Sequence, residues 1–302
     1  MDWLEAIVLG VVEGITEFLP VSSTGHLTVT EKLLGLKIDH PDVTAFTAII
    51  QVGAILAAII YFRKDIVRLA GGWFSGLFNR SKRGTDYRLG WAVIVGSAPI
   101  GVVGLGLQPL IEGPLRSLWV VAAALIAWSA VMWLADRRAD SHPGRSGSHL
   151  PAGTRGPVDK GSHAAGPRGE ASLTVVDGLV IGLTQCLALI PGVSRSGATI
   201  SAALLRGIDR TTATRWSFFL GIPALTASGA LQAYKAYDEI ANGVGWMATA
   251  VATLVSLVVA YASIAWLLRF VSSNRFTAFV VYRVVIGLVI AGLLLGGVVA
   301  AV

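Results

Sequence analysis

Long apolar runs alternate with short polar connections along the chain. Residues 43–62, 89–111, 117–135, 216–234 and 240–268 each hold 19 or more positions without a charge, and 276–302 hold only Arg283. About 20 apolar residues in a helix cross a hydrocarbon core of about 30 Å, so the pattern predicts six transmembrane helices. Two further apolar segments break partway. Residues 14–25 (GITEFLPVSSTG) and 182–197 (GLTQCLALIPGVSRSG) both open on Gly-Ile/Leu-Thr-Glu/Gln and run apolar into a proline, a Val-Ser pair and a glycine. Each is followed by a polar connection and three apolar runs, so the chain is one broken segment plus three spans, twice.

Three spans is an odd number, so the second copy enters from the opposite side. This is the inverted-topology repeat found in transporter folds. The expected fold is an all-α integral membrane protein: six transmembrane helices plus two re-entrant helix-loop-helix segments. Residues 1–135 form the first repeat and 173–302 the second, with 136–172 a linker. Proline cannot continue a helix. The first helix is therefore expected from about Trp3 to Leu19, with Ser22, Ser23 or Thr24 capping a short second helix. The second segment is expected to stop near Ile190 and restart at Ser194–Ser196. Non-helical backbone survives in a membrane only where protein or water covers it, so the two loops are expected to meet. Their helix restarts aim free N–H groups into a shared polar pocket, which suits an anion.

Composition agrees with the pattern: 54% of residues are hydrophobic, 14% are charged and mean hydropathy is +0.69, against roughly a quarter charged in soluble domains. The net charge of +6 does not call for nucleic acid, because of where the basic residues lie. With the predicted spans, 18 of the 24 Lys/Arg fall on one face, four on the other, and Arg195 and Arg283 within membrane segments. A Lys/Arg excess marks the cytoplasmic face, which puts the N-terminus outside. "MDWLEAIVLG" lacks a basic leader, so no cleavable signal is expected. The single Cys186 excludes an internal disulfide. Residues 137–170, rich in Gly, Pro, Ser, Arg and His, read as a flexible cytoplasmic insertion. His142, His149 and His163 within it read as loop residues rather than metal ligands.

The broken segments carry the chemistry. Glu13 and Glu17 share a helical face, and a carboxylate pair in a bilayer calls for a cation or a guanidinium. Arg195, between Ser194 and Ser196, is the matching countercharge, and its fork of donors suits phosphate oxygens. His26 stands close enough to the serines to take a proton from a hydroxyl or water. Ser23 is the candidate nucleophile and Ser22 the candidate phosphate donor. Gln51 and Gln185 read as interhelical hydrogen-bond formers, and Arg283 as a side chain that snorkels or stays buried. The pocket asks for a phosphate-bearing ligand, a divalent cation and a proton acceptor, and a ligand arriving laterally would have a lipid tail. No GxxxxGK[ST] motif occurs.

Residues 10–26 (GVVEGITEFLPVSSTGH) and 191–199 (PGVSRSGAT) resemble the two signature motifs of the undecaprenyl-diphosphate phosphatases, the bacitracin-resistance family of bacterial membrane proteins. The likeness extends to IIQVGAI at 49–55 and VYRVV at 281–285. It implies hydrolysis of the 55-carbon lipid carrier diphosphate to the monophosphate, recycling the carrier for peptidoglycan assembly. It implies Mg²⁺ or Ca²⁺ dependence with Glu13 and Glu17 as metal ligands, and an active site facing outside the cytoplasm in the cell membrane. The resemblance places roles on Glu13, Glu17, Ser23 and His26 from the first motif and on Ser194, Arg195 and Thr199 from the second. Together with the reading of the residues, Glu17, Ser23, His26 and Arg195 are expected to be catalytic and Ser22, Thr24, Ser194, Ser196 and Thr199 to contact substrate. The partners are a polyprenyl diphosphate and the bilayer; a homodimer is left open. A second lipid-phosphatase pattern, ending in SRxxxxxHxxxD, is excluded because no histidine follows Arg195. A transporter or flippase of a lipid phosphate or ion on the same repeat is the rival reading.

Overall fold

The computed structural model describes residues 1–36, 40–112, 115, 117–140, 166–235 and 237–301. Helices make up almost all of them: α1 (Trp3–Thr16), α2 (Ser23–Leu33), α3 (Pro41–Tyr61), α4 (Arg63–Phe78), α5 (Thr85–Gly106), α6 (Gln108–Glu112), α7 (Leu118–Asp140), α8 (Val175–Gln185), α9 (Arg195–Leu205), α10 (Arg210–Lys235), α11 (Tyr237–Asn242), α12 (Trp246–Val271) and α13 (Thr277–Leu295). Among the described residues the only β pairing is an isolated bridge between Arg168 and Ile208.

Among the described residues, five helices are long and apolar enough to cross a membrane: Asp42–Tyr61, Thr85–Gly106, Leu118–Asp140, Trp246–Val271 and Thr277–Leu295. The sixth expected span lies inside α10. That helix matches α12 in length, at 26 residues, but Arg210, Arg215 and its run of threonines and serines dilute its apolar content.

The two broken segments pack alike. Helix α1 lies along α12, and α8 lies along α5. Glycines permit both contacts. A Cβ on Gly10 would stand 2.5 Å from the Ala252 carbonyl oxygen, and one on Gly14 2.8 Å from that of Ser256. Gly178 and Gly182, the corresponding positions of the second copy, press just as closely on the carbonyls of Ala92 and Gly96. Small residues let helix backbones approach where lipid offers no hydrophobic drive to associate. Each copy thus docks its broken segment on a helix of the other.

Both broken segments depart from helix earlier than expected. Helix α1 ends at Thr16, with the Glu17 N–H still donating to the Glu13 carbonyl at 3.0 Å. Helix α8 ends at Gln185 and tightens into a 3-10 turn over Cys186–Leu189. Tightening a last turn satisfies carbonyls that an approaching proline would leave open.

The ends of the stretch read as a flexible insertion are tied down; residues 141–165, with His142, His149 and His163, lie outside the described residues. Asp136, inside α7, is buried and accepts from Arg210 Nε at 2.6 Å and from the Phe276 N–H at 2.9 Å. Arg168 donates to both oxygens of buried Asp177, at 3.1 and 2.5 Å, and Arg206 Nε reaches the same carboxylate at 2.8 Å. Arg68 joins Asp86 of α5 to Glu170.

Candidate active site

The two breaks touch. Ser22 and Ser194 stand one residue before α2 and α9, with φ of 76° and 75°. For an L-residue with a Cβ this left-handed backbone costs about 1–2 kcal/mol, so the surrounding contacts must hold it. Ser194 spends its hydroxyl as a cap, accepting from the Gly197 N–H at 3.1 Å. Ser22 does not cap its helix. Its hydroxyl instead accepts from the Gly192 N–H at 3.2 Å, across to the other break. Ser196 returns the tie, donating to the Leu19 carbonyl at 3.0 Å. The capping role expected of Ser22 is therefore replaced by a bond between the loops, because Gly192, itself at φ 100°, presents its N–H there.

Arg283 closes the junction. It is 0% exposed, so it does not snorkel. Its guanidinium donates to the Pro20 carbonyl at 3.2 Å and the Gly192 carbonyl at 2.8 Å, one from each break, and to Ser129 Oγ at 3.2 Å. These carbonyls sit at breaks where the helical ladder supplies no N–H, and the fork of donors answers both. The only sign of this role in the sequence was a lone arginine within an apolar run.

Glu17 is the hub of a polar cluster at the junction. Its Oε2 accepts from Ser23 Oγ at 2.7 Å and from Gln51 Nε2 of α3 at 3.2 Å. Its Oε1 faces Arg195 Nη2 at 3.4 Å. Arg195 is fixed in turn: Nη1 donates to the Ser217 carbonyl of α10 at 3.1 Å, and the guanidinium stands 5.8 Å from the Phe18 ring centre. Phe18 packs edge-on against Phe218 at 5.2 Å, giving the ion pair an apolar floor. Thr199 lies one turn deeper in α9. It donates to the Ser217 hydroxyl or the Arg195 carbonyl, at 2.7 and 2.9 Å, and so braces the arginine. Ser217 was not legible as a participant.

Both ring nitrogens of His26 are engaged with groups other than Ser23. Its Nδ1 lies 2.8 Å from the Ser22 carbonyl and its Nε2 2.7 Å from the Tyr282 hydroxyl, with the two rings stacked. A carbonyl only accepts, so Nδ1 carries the hydrogen and Nε2 receives from Tyr282. The imidazole holds the strained Ser22 backbone in place. The group bonded to the Ser23 hydroxyl is Glu17. Gln185, the counterpart of Glu17 in the second copy, is fully buried, and its amide makes no hydrogen bond among the described residues.

Glu13 and Glu17 are one turn apart yet face different cavities. Glu17, Arg195 and Ser194 line a cavity of about 610 Å³ that continues between α5 and α10. Its rim residues Ile94, Leu105 and Leu231 are exposed, so it opens sideways along apolar walls. Glu13 lines a second cavity of about 250 Å³. Ser23, Thr24, Gln51 and Pro191 border both. Thr24 is exposed.

For a cation the residues fit in part. Both Glu13 carboxylate oxygens are buried without a hydrogen-bond partner, which is the donor set a hard divalent ion accepts. Among the described residues no three His, Cys, Asp or Glu side chains converge as a metal cluster. A magnesium-type ion commonly takes only one or two carboxylates and completes its shell with substrate phosphates.

Comparison with known proteins matches the chain to a family. The family model for bacitracin resistance protein BacA matches residues 6–289, spanning both breaks and Arg283. This chain belongs to the bacitracin resistance protein BacA family. Its relatives include the undecaprenyl-diphosphatase of Cutibacterium acnes, 55% identical over the whole of both chains. Undecaprenyl-diphosphatase 3 of Frankia casuarinae is 53% identical, again over both full lengths. Undecaprenyl-diphosphatase 1 of Streptomyces avermitilis is 51% identical over 97% of each chain. The BacA match thus takes in every residue of the Glu17, Ser23 and Arg195 centre.

Proposed function

We propose that this chain is a membrane-embedded undecaprenyl-diphosphatase, hydrolysing undecaprenyl diphosphate to undecaprenyl phosphate and inorganic phosphate and so recycling a lipid carrier for cell-wall synthesis. The observation that carries this is the Ser23 hydroxyl donating to Glu17 at 2.7 Å, beside Arg195, at the polar end of a sideways-opening apolar cavity. A binding site alone needs no hydroxyl aimed at a carboxylate, so the transporter reading is not favoured.

The prenyl tail lies along the groove between α5 and α10, and the diphosphate meets Arg195 and the N–H groups that open α2 and α9. Ser22, Ser194 and Ser196 hold those N–H groups in register, and Thr24 reaches the same headgroup. Glu17 takes the Ser23 proton as Oγ attacks the terminal phosphorus. The Oγ–P bond forms, the P–O bond to the lipid phosphate breaks, and undecaprenyl phosphate leaves. Glu17 passes the Ser23 proton to the departing lipid phosphate and, ionised again, takes one from a water whose oxygen attacks the phosphoserine; the Oγ–P bond breaks, the proton returns to Ser23 Oγ and inorganic phosphate leaves. Arg195 balances charge on the equatorial oxygens throughout. His26 keeps the Ser22 backbone, and with it Ser23, in place. Glu13 and Glu17 are the residues that would hold Mg²⁺ or Ca²⁺, which when bound neutralises phosphate charge and polarises the phosphoryl oxygens.

The six-span arrangement with two re-entrant segments, inverted between the halves, belongs to this reading. The internal likeness of the two breaks and the reciprocal docking of α1 and α8 support it. So does the Lys/Arg excess on one face, which also favours a site opening outside the cytoplasm.

Phosphate release from a purified sample given undecaprenyl diphosphate and Mg²⁺ tests the activity. Acid-quench trapping of ³²P from terminally labelled substrate on Ser23, lost in Ser23→Ala, tests the covalent step. Turnover by Ser23→Ala with no trapped phosphate in either protein would assign the attack to water.

A further inference from the structure

Helix α4 braces the two helices that wall the reaction cavity. Its C-terminal half presses on the start of α5. A Cβ on Gly72 would stand 2.5 Å from Asp86 Cβ, and one on Gly76 2.3 Å from the Tyr87 ring. Gly90 of α5 makes the same room for Trp73, whose Cβ would lie 2.6 Å from a Cβ there. The N-terminal end of α4 is tied to α10 instead, where Arg215 donates to Asp65 at 2.9 Å. Held at both ends, α4 crosses the seam of α5 and α10 and encloses a further cavity of about 200 Å³. Ile66, Leu69, Ala70 and Trp73 form the α4 wall of it. Apart from the Trp73 indole, only aliphatic and phenyl groups line it among the described residues.

This cavity and the reaction cavity share two lining residues, Ile94 of α5 and Pro223 of α10, both exposed. Volume makes that junction matter. A methylene is about the size of a water, so at about 30 Å³ each a 55-carbon tail needs about 1,650 Å³ and a 15-carbon tail about 450 Å³. The reaction cavity holds about 610 Å³, and the diphosphate takes part of it. A short tail is housed there; a long one overflows.

We propose that the overflow passes Ile94 and Pro223 and that isoprene units far from the headgroup lie in the cavity beneath α4, so that α4 reads tail length. The inference rests on the diphosphatase reading and deepens it. Lipid is as apolar as these walls, so the cavity gives the tail no escape from water. It contributes many weak contacts and one defined path.

The test compares phosphate release from undecaprenyl and farnesyl diphosphate, tails of 55 and 15 carbons, by the full-length protein in nanodiscs. Ala70→Phe fills the cavity from α4. It is expected to lower kcat/KM for the long substrate relative to the short one about tenfold, as overpacking an apolar space does. The loss is expected in KM with kcat kept, since tail contacts are made equally before and during reaction. Val67→Phe puts the same ring on the same helix at a position that is 72% exposed and does not line the cavity, and is expected to match wild type on both substrates. An unchanged ratio in Ala70→Phe, which a bilayer acyl chain seated in the cavity would give, overturns the inference. So does an equal shift in Val67→Phe. Should Ala70→Phe fail to fold, Ala70→Leu, a better helix former, serves with the same expected direction, and an unchanged ratio in it is equally decisive. Release from both substrates with no change in ratio sinks the tail path alone. Release from neither by wild type sinks the diphosphatase reading, and the tail path with it.

Discussion

Ser22 and Ser194 hold the same left-handed backbone, φ 76° and 75°, at matching points of the two breaks. The coincidence in angle hides a difference in use. Ser194 caps its own helix, whereas Ser22 accepts from Gly192 in the opposite loop.

That difference separates two substitutions at Ser22. Ser22→Ala keeps the backbone strain and strands the buried Gly192 N–H, which costs about 1–3 kcal/mol. Ser22→Gly strands the same donor but relieves about 1–2 kcal/mol of strain. Thermal unfolding in detergent is expected to rank wild type and Ser22→Gly above Ser22→Ala.

Arg283 is expected to tolerate no replacement. Lysine keeps the charge but cannot span the Pro20 and Gly192 carbonyls together. Arg283→Lys and Arg283→Met should each lower stability by several kcal/mol, since each buried carbonyl left without its donor costs about 1–3 kcal/mol. Phosphate release should fall with it, because both loops depend on one guanidinium.

At the reaction centre, Glu17→Gln keeps the Gln51 and Arg195 surroundings but removes the proton acceptor. Phosphate release is expected to drop about 10²–10⁴-fold, with elution and unfolding temperature close to wild type. Gln51→Leu leaves the acceptor in place and should cost far less, about tenfold, the worth of one hydrogen bond to a charged group.

His26 and Tyr282 make a linked pair. His26→Ala frees the Ser22 carbonyl and should lower unfolding temperature and activity together. Tyr282→Phe removes only the hydroxyl bonded to Nε2 at 2.7 Å, and about 0.5–1.5 kcal/mol of stability is expected to go with it.

The close helix contacts give a plain packing test. Gly14→Leu drives a side chain into the Ser256 carbonyl and Val259 and should abolish recovery of folded protein. Gly71 of α4 has nothing within 4 Å of a built Cβ. Gly71→Ala is therefore expected to raise stability by about 0.5–1 kcal/mol through helix propensity alone.

Much of this was legible before any coordinates. Four of the five uncharged runs, and the 276–302 run with its single arginine, located the five membrane-length apolar helices, because a bilayer imposes length and polarity on each span independently of its neighbours. The paired breaks were legible because proline and glycine act locally, and Glu17, Ser23 and Arg195 followed as the polar groups beside them. The separation of Glu13 from Glu17 was not. Four-residue spacing sets a helical face, but which cavity a carboxylate enters depends on α2 and α3, which pack against that face from elsewhere in the chain. The partners of His26 were hidden for the same reason. Its nearness to the serines in sequence gives no account of Tyr282, 256 positions away. Arg283 read ambiguously because its ligands are carbonyls, and every residue has one.

The reciprocal docking of α1 on α12 and α8 on α5 ties the two ends of the chain to each other. One break carries Glu17 and Ser23 where the other carries Gln185 and Arg195. Carboxylate and guanidinium thus stand on separate arms, and the glycines that dock each arm leave its polar residues free to differ.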